Sequence, residues 1–106
     1  MKRDVIFSEE DGALIARIMC DVDHHTAKSM REQIDARLFD SRCHRLALDF
    51  SQVEFMDSSG LGLILGRVER ATALGAEVEV RGLRPRFQKL LRLSGIERVR
   101  GLSMKA

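Results

Sequence analysis

Two serines and an aspartate stand together where an apolar strand pattern gives way to a helical one. The segment is Asp57-Ser58-Ser59-Gly60, and Leu61 opens the apolar stripe that follows. The first turn of a helix has backbone N–H groups without intrahelical partners and a partial positive charge, so it tolerates a negative group. This setting suits phosphorylation of a serine, and we predict that one of the two hydroxyls is a phosphoryl acceptor.

Ordinary helix capping is the competing interpretation of Ser58 and Ser59, because serine is among the leading N-cap residues. Spacing alone favours neither interpretation. Gly60 would remove side-chain bulk at the start of the helix and so let a partner's backbone or a phosphate come close. A phosphate here would add a charge of about −1.5 to −2, which should leave the fold intact and repel an acidic or close-fitting partner.

A second polar segment, Asp23-His24-His25-Thr26, follows an earlier predicted strand. If the two strands are parallel neighbours, both segments lie at the carboxyl edge of the sheet, where open α/β sheets place their sites. We therefore expect the two segments to form one surface. Neither the adjacent histidines nor Cys43 has the paired spacing of a metal site, so we expect no metal and no cofactor.

Two enzyme motifs fit the serine segment less well. Gly60, Gly62 and Gly66 are not followed by the GK[ST] of a nucleotide loop, and helix packing explains them better. The sequence before Ser58 lacks the first glycine of G-x-S-x-G, although the strand-turn-helix setting is similar. A serine hydrolase is thus the main enzymatic alternative to a protein without catalysis of its own.

Composition narrows the class of protein further. The 106 residues suit one domain over 1–106, and 18 basic and 16 acidic residues, mostly interleaved, leave a net charge of +2. Without Trp or Tyr the chain lacks the stacking platforms that bind single-stranded nucleic acids. No leader pattern opens it, and no apolar run approaches the roughly 18 residues of a membrane span. We expect a cytoplasmic protein that binds neither nucleic acid nor membrane.

The elements that position these residues are predicted as β-β-α-β-α-β-α. Asp11-Gly12 between apolar runs predicts an opening β-hairpin, and Asp23 is typical of the N-cap of a first helix. A second helix is predicted from about Ser59 to Leu74, and helices follow strands two, three and four. Such crossovers favour parallel neighbours, so we predict an α/β domain with a mixed four- to five-stranded sheet and a short last strand around Val99.

Two stretches of the chain resemble the STAS domain family, and within it the bacterial anti-sigma factor antagonists of the sporulation sigma-F type. They are Asp23-His24-His25-Thr26-Ala27 and residues 55–62, the second continuing as Ile64-Leu65-Gly66-Arg67. The resemblance implies a STAS fold and a protein that binds an anti-sigma factor, itself an ATP-bound serine kinase, and so releases the sigma factor. It also implies that Ser58, directly after the aspartate, is the acceptor, that phosphorylation switches binding off and that a serine phosphatase restores it.

The resemblance and the residues together predict a partner-binding surface. A STAS scaffold module of a stress-signalling or transport complex, with binding that ignores Ser58, is the second alternative. Cys20-Asp21-Val22 differs from the usual Gly-Glu-Leu, and the family's final helix has no counterpart after Met104. Apolar residues left uncovered would be exposed or would pair two copies, so we expect a monomer or weak dimer. The predicted partner-binding residues are Asp23, His24, Thr26, Asp57, Ser58, Ser59, Gly60 and Leu61.

Overall fold

The computed structural model describes residues 3–105, in which an opening hairpin is followed by alternating helices and strands. This order confirms the predicted α/β class. No helix in this part of the chain has the length and apolar character needed to cross a bilayer. The elements are β1 (Val5–Glu10), β2 (Ala13–Ile18), α1 (His24–Asp40), β3 (Arg45–Asp49), α2 (Ser59–Ala73), β4 (Glu77–Arg81), α3 (Pro85–Ser94), a 3-10 turn (Ile96–Arg98) and β5 (Leu102–Lys105).

The five strands lie in one sheet in chain order. β1 is antiparallel to β2, and every later pair is parallel. Asp11 and Gly12 form the turn of the hairpin with φ angles of 48° and 81°, the left-handed values that a tight hairpin turn requires. Because β2 and β3 are parallel neighbours, their carboxyl ends lie at the same edge of the sheet, as predicted.

One face of the sheet and the apolar stripes of the helices form the core. Leu14 and Ile18 of β2 and Leu48 of β3 are fully buried at alternating positions, as the sequence pattern predicted. They belong to one cluster with Ile34 of α1 and Ile64 of α2. Burial of each such side chain contributes about 1.5–3 kcal/mol, so the two helices that begin at the carboxyl edge are firmly packed on the sheet.

Some of the alternate residues of the strands carry charges and pair with one another. Arg17 of β2 contacts Asp49 of β3, with 3.3 Å between Nε and Oδ2. Glu79 of β4 is buried and forms ion pairs with Arg45 and with Arg81. The hydrogen bond from Arg81 holds the pKa of the Glu79 carboxyl below its usual range. This buried carboxylate is therefore stabilised by its partners, as a buried charge must be.

The last strand lies a few residues later than predicted. Val99 ends the 3-10 turn, where its N–H donates to the Ile96 carbonyl at 3.0 Å. β5 begins only after Gly101, whose carbonyl accepts from Val78 N–H at 2.8 Å and starts the pairing with β4. A 3-10 turn after α3 has no hydrophobic period of its own, so the pattern around Val99 indicated a strand too early.

Candidate functional site

A short pairing beyond the regular strands joins the ends of β2 and β3. Val22 and Met56 form an isolated parallel bridge, and both are buried. Val22 N–H donates to the Phe55 carbonyl at 3.0 Å, and Asp57 N–H donates to the Val22 carbonyl at 3.1 Å. Asp23 and Asp57 each follow directly after a bridged residue, so the two predicted segments do meet at one edge.

The first segment forms the start of α1 through a capping box. An oxygen of the Asp23 carboxylate accepts from His25 N–H at 2.8 Å and from Thr26 N–H at 2.9 Å. The Thr26 hydroxyl accepts from Asp23 N–H at 3.1 Å and donates to the Asp21 carbonyl at 2.8 Å. The Thr26 N–H bond, followed by the His25 N–H bond, lowers the pKa of the Asp23 carboxyl. The predicted cap is confirmed, and His24 and His25 are left exposed on the first turn.

The second segment forms the start of α2 in a different way. The Asp57 carboxylate accepts from Ser59 N–H at 2.8 Å, a short-range contact that aspartate commonly makes two residues along the chain. Ser58 occupies the N-cap position, but its side chain makes no capping hydrogen bond and the residue is exposed. Capping as the explanation of Ser58 is therefore wrong, because the Asp57 carboxylate meets the Ser59 N–H instead.

Packing inside the domain explains why residue 60 is a glycine, and the sequence alone did not indicate this. The residue is buried, and a Cβ atom built on it would overlap Sδ and Cγ of Met56. Packing against the Met56 side chain is thus one reason for a glycine at this position, and the approach of a partner or a phosphate to Gly60 stays a prediction. Leu61 is half-buried and packs against the core, which leaves Ser58 as the most open residue of the segment.

The loop before Asp57 is tied down by residues that sequence reasoning missed. Arg84 Nε donates to the Val53 carbonyl at 3.0 Å, and Arg86 donates to the Glu54 carbonyl. The Asp21 carboxylate accepts from Phe55 N–H at 3.1 Å. These partners lie 31 to 34 residues apart in the chain, so no local pattern could have indicated them.

Phe55 itself was missed as a candidate contact residue. Both of its backbone groups are hydrogen-bonded, the N–H to Asp21 and the carbonyl to Val22, while the residue is 52% exposed. A large aromatic ring is thus presented to solvent by a fixed backbone, three positions before Ser58. Its exposure is set by tertiary contacts, which the local sequence does not indicate.

A buried ion pair holds α1 against α2. Arg67 of α2 is 3% exposed, and its Nε lies 2.8 Å from Oδ1 of Asp35 in α1. Burial lowers the pKa of the Arg67 guanidinium, and the Asp35 carboxylate opposes that shift. The pair joins α1 to α2, the two helices whose first turns carry the candidate site, and so helps to fix the position of one helix relative to the other.

Metal ligation has no geometric support in residues 3–105, where no three His, Cys, Asp or Glu side chains come together as a ligand group. Cys20 and Cys43 are both unpaired thiols in this part of the chain. Burial, followed by the charge of Asp4, raises the pKa of the Cys20 thiol to about 11. A thiol with such a pKa is almost entirely protonated at neutral pH, so Cys20 is a poor nucleophile.

Comparison with known proteins assigns the chain to a family. Residues 4–105 match the family model described as the STAS domain. The chain belongs to the STAS domain family. Its STAS sequence is 34% identical over 99 residues to a Paenibacillus polymyxa protein named anti-sigma F factor antagonist, and the match covers 93% of this chain and 85% of that protein.

Solved STAS structures share the architecture. The unphosphorylated form of the anti-sigma factor antagonist SpoIIAA superposes with a TM-score of 0.78 at 23% identity, covering 96% of this chain and 88% of that one. The phosphorylated form of SpoIIAA, a Bacillus cell fate determinant, superposes with a TM-score of 0.70 at 23% identity, covering 96% and 91%. At this level of identity the two structures show that the fold is shared.

Proposed function

We propose that this STAS protein is an anti-sigma factor antagonist, and that phosphorylation of Ser58 switches its binding off. The observation that carries the proposal is the state of Ser58, which is exposed at the start of α2 with a hydroxyl that makes no capping hydrogen bond. A group that is accessible and has no structural task can be modified without damage to the fold. The name of the Paenibacillus polymyxa relative supports the binding role.

In the proposed exchange, the unphosphorylated protein binds an anti-sigma factor that is also an ATP-bound serine kinase, and the sigma factor is released. The chain performs no catalysis of its own, and its hydroxyl is the substrate of the partner. A serine phosphatase removes the phosphate and restores binding. The proposal places the exchange in the cytoplasm. Solved structures of SpoIIAA in unphosphorylated and phosphorylated forms support a fold that accommodates both states.

Ser58 is favoured over Ser59 as the acceptor by exposure and by hydrogen bonding. Ser58 is exposed, whereas Ser59 is half-buried and its N–H donates to Asp57. A kinase must reach the hydroxyl and move the phosphoryl group in line with it, which requires space around the oxygen. Asp57 is assigned to holding the first turn of α2 in position, or to contacting a basic group of the partner.

A phosphate on Ser58 should change the free energy of binding enough to switch it off, while the fold tolerates the added charge. A phosphate at the start of α2 gains about 0.3–1 kcal/mol from the helix dipole, so the folded state tolerates it. At a docked interface the same charge adds repulsion and bulk. A loss of about 3 kcal/mol there weakens binding roughly a hundredfold. The surface that would feel this change includes His24 on α1 and Leu61 on α2, beside Ser58.

The test is a phosphorylation assay with the cognate anti-sigma factor and ATP, followed by mapping of the phosphate by mass spectrometry. We expect a single phosphate on Ser58, none on the Ser58→Ala variant and normal labelling of the matched Ser59→Ala variant. Binding measured by isothermal titration should be lost on phosphorylation and should return after phosphatase treatment. Phosphate on Ser59, or equal affinity before and after modification, contradicts the proposal.

A further inference from the structure

A groove with basic side chains lies between the first turns of α1 and α2. It encloses about 360 Å³ and is lined by His24, Lys28 and Arg31 of α1 together with Ser59 and Gly62 of α2. Ser59 is the residue directly after the proposed phosphoryl acceptor. We call this site the basic groove. It therefore adjoins Ser58 and belongs to the same edge of the molecule.

The charges of the basic groove are not balanced from within the domain. Neither Lys28 nor Arg31 has an ion-pair partner among residues 3–105, and both are exposed. Glu32 is the carboxylate nearest along α1, but it forms no ion pair with Lys28 or Arg31 and does not line the groove. Asp23 accepts the backbone N–H groups of its own first turn, and Asp35 pairs with Arg67. The lining of the groove therefore contains the basic side chains of Lys28 and Arg31 and no carboxylate, so it presents positive charge to an outside group.

One turn beyond Arg31 of α1 and Leu63 of α2, which line the groove, Asp35 and Arg67 form a buried ion pair. Arg67 is almost fully buried, and part of its guanidinium has no hydrogen-bond partner in the described residues. Burial lowers the pKa of Arg67, and the neighbouring charges of Arg31 and Arg70 lower it further. Arg31 lies on the side of α1 that faces α2, because it lines the groove together with Ser59 and Gly62. An anion in the groove would balance its charge.

We propose that the basic groove binds an acidic segment of the anti-sigma factor, an inference that rests on the proposed function. Complementary charge explains how the switch works. Because Ser59 lines the groove, a phosphate on the preceding Ser58 would lie at its edge, where it would offset part of the positive charge and repel the carboxylates of the partner. The partner would then lose both its attraction to the groove and its approach to α2. Charges at such a position also raise the rate of association and make it sensitive to salt.

The experiment uses the full chain and the purified cognate anti-sigma factor. The Lys28→Gln/Arg31→Gln variant removes two positive charges from the groove, and the Arg42→Gln/Lys89→Gln variant removes two exposed charges elsewhere. At low salt we expect the groove variant to bind at least about tenfold more weakly than wild type, because a tenfold loss corresponds to one good ionic contact. Its affinity should also depend less on the salt concentration. The control variant should match wild type.

A second pair of variants separates charge from packing. Lys28→Arg/Arg31→Lys keeps both charges and should bind like wild type, whereas Lys28→Glu should bind more weakly than Lys28→Gln. All variants should show unchanged thermal unfolding, because the substituted side chains are exposed. A groove variant that loses binding to a single-stranded RNA oligonucleotide, but not to the anti-sigma factor, overturns the assignment to an acidic protein segment.

The two proposals fail in distinguishable ways. If wild type binds the anti-sigma factor, loses that binding on phosphorylation, and the groove variant binds with wild-type affinity and salt dependence, the basic groove is not the docking site while the proposed function stands. If unphosphorylated wild type binds no anti-sigma factor in any nucleotide state, the proposed function is wrong and the groove inference with it.

Discussion

Val22 and Met56 pair in an isolated parallel bridge beyond the ends of β2 and β3, and each is followed directly by an aspartate. Asp23 organises the first turn of α1, and Asp57 organises the first turn of α2. The bridge therefore makes the two helix starts one unit at the carboxyl edge of the sheet. This unit presents Ser58 and the basic groove side by side, which is why small changes around the bridge should alter docking.

Gly60→Ala tests the contact between Gly60 and the Met56 side chain. Its Cβ would overlap the side chain of Met56, so we expect a loss of about 1–3 kcal/mol in the free energy of unfolding, as for other overpacked sites. Gly66→Ala is the matched control in the same helix, because its Cβ would meet no atom within 4 Å. That variant should gain up to about 1 kcal/mol, the usual advantage of alanine inside a helix. Urea unfolding of both variants gives the measurement, and equal stabilities would contradict the packing of Met56 on Gly60.

Ser58 variants should separate folding from docking. Ser58→Ala removes a hydroxyl that makes no capping hydrogen bond, so its free energy of unfolding should stay within about 0.5 kcal/mol of wild type. Its affinity for the anti-sigma factor should persist and become insensitive to ATP. Ser58→Asp should fold equally well and bind more weakly, because it places a permanent negative charge at the interface. The regulatory account would be undermined by an Asp variant that binds as tightly as the Ala variant.

Local sequence signals predicted the hairpin, the start of α1 and the order of strands and helices. Asp11-Gly12 indicated the hairpin, Asp23 indicated the start of α1, and both are as expected because turns and caps depend on few neighbouring residues. The order of strands and helices then brought the two polar segments to one edge. The edge itself could thus be predicted from the sequence.

Contacts between distant residues could not be predicted in this way. Whether Ser58 caps α2 depends on where the Asp57 carboxylate points, and the need for Gly60 depends on how Met56 packs. The anchoring of the loop by Arg84 joins residues 31 positions apart. Such details follow from packing in three dimensions, for which a single sequence has no periodic signal.

Phe55 is expected to contribute to docking. Its ring is half exposed on a loop whose backbone is hydrogen-bonded on both sides, and rigid aromatic side chains are frequent binding hot spots. Phe55→Ala should weaken binding to the anti-sigma factor by about 1–2 kcal/mol, which is roughly fivefold to thirtyfold. Phe39→Ala is the matched control, because Phe39 is 75% exposed in the last turn of α1. Titration calorimetry that finds the same loss for both variants would argue against a specific role for Phe55.

Removing Asp35 from its ion pair with Arg67 should cost more stability than removing Arg67. Asp35→Ala leaves the guanidinium of Arg67 buried without a close counter-charge, which typically costs about 3–5 kcal/mol. Arg67→Met fills the same space with an apolar chain and leaves a carboxylate that is less deeply buried, so the loss should be smaller. Chemical unfolding of the two single variants and the double variant measures the coupling. A larger loss for Arg67→Met would show that packing of the arginine chain outweighs its charge.

The stability of α1 should depend on pH through Asp23. In the folded state the Thr26 and His25 N–H groups lower the pKa of this carboxyl, so between the folded and unfolded pKa values the unfolded chain binds more protons. The stabilisation is therefore fully present above about pH 4, the ordinary range of an aspartate, and is lost as the pH falls through the folded value. Asp23→Asn keeps a good N-cap without the ionisable group, so it should flatten this acid slope. It should be less stable than wild type near neutral pH, with a difference that shrinks as the pH falls. Urea unfolding from pH 3 to 7 compares the two proteins, and a variant with the same acid slope as wild type would assign the pH dependence to other carboxylates, such as Asp49, whose pKa is also lowered.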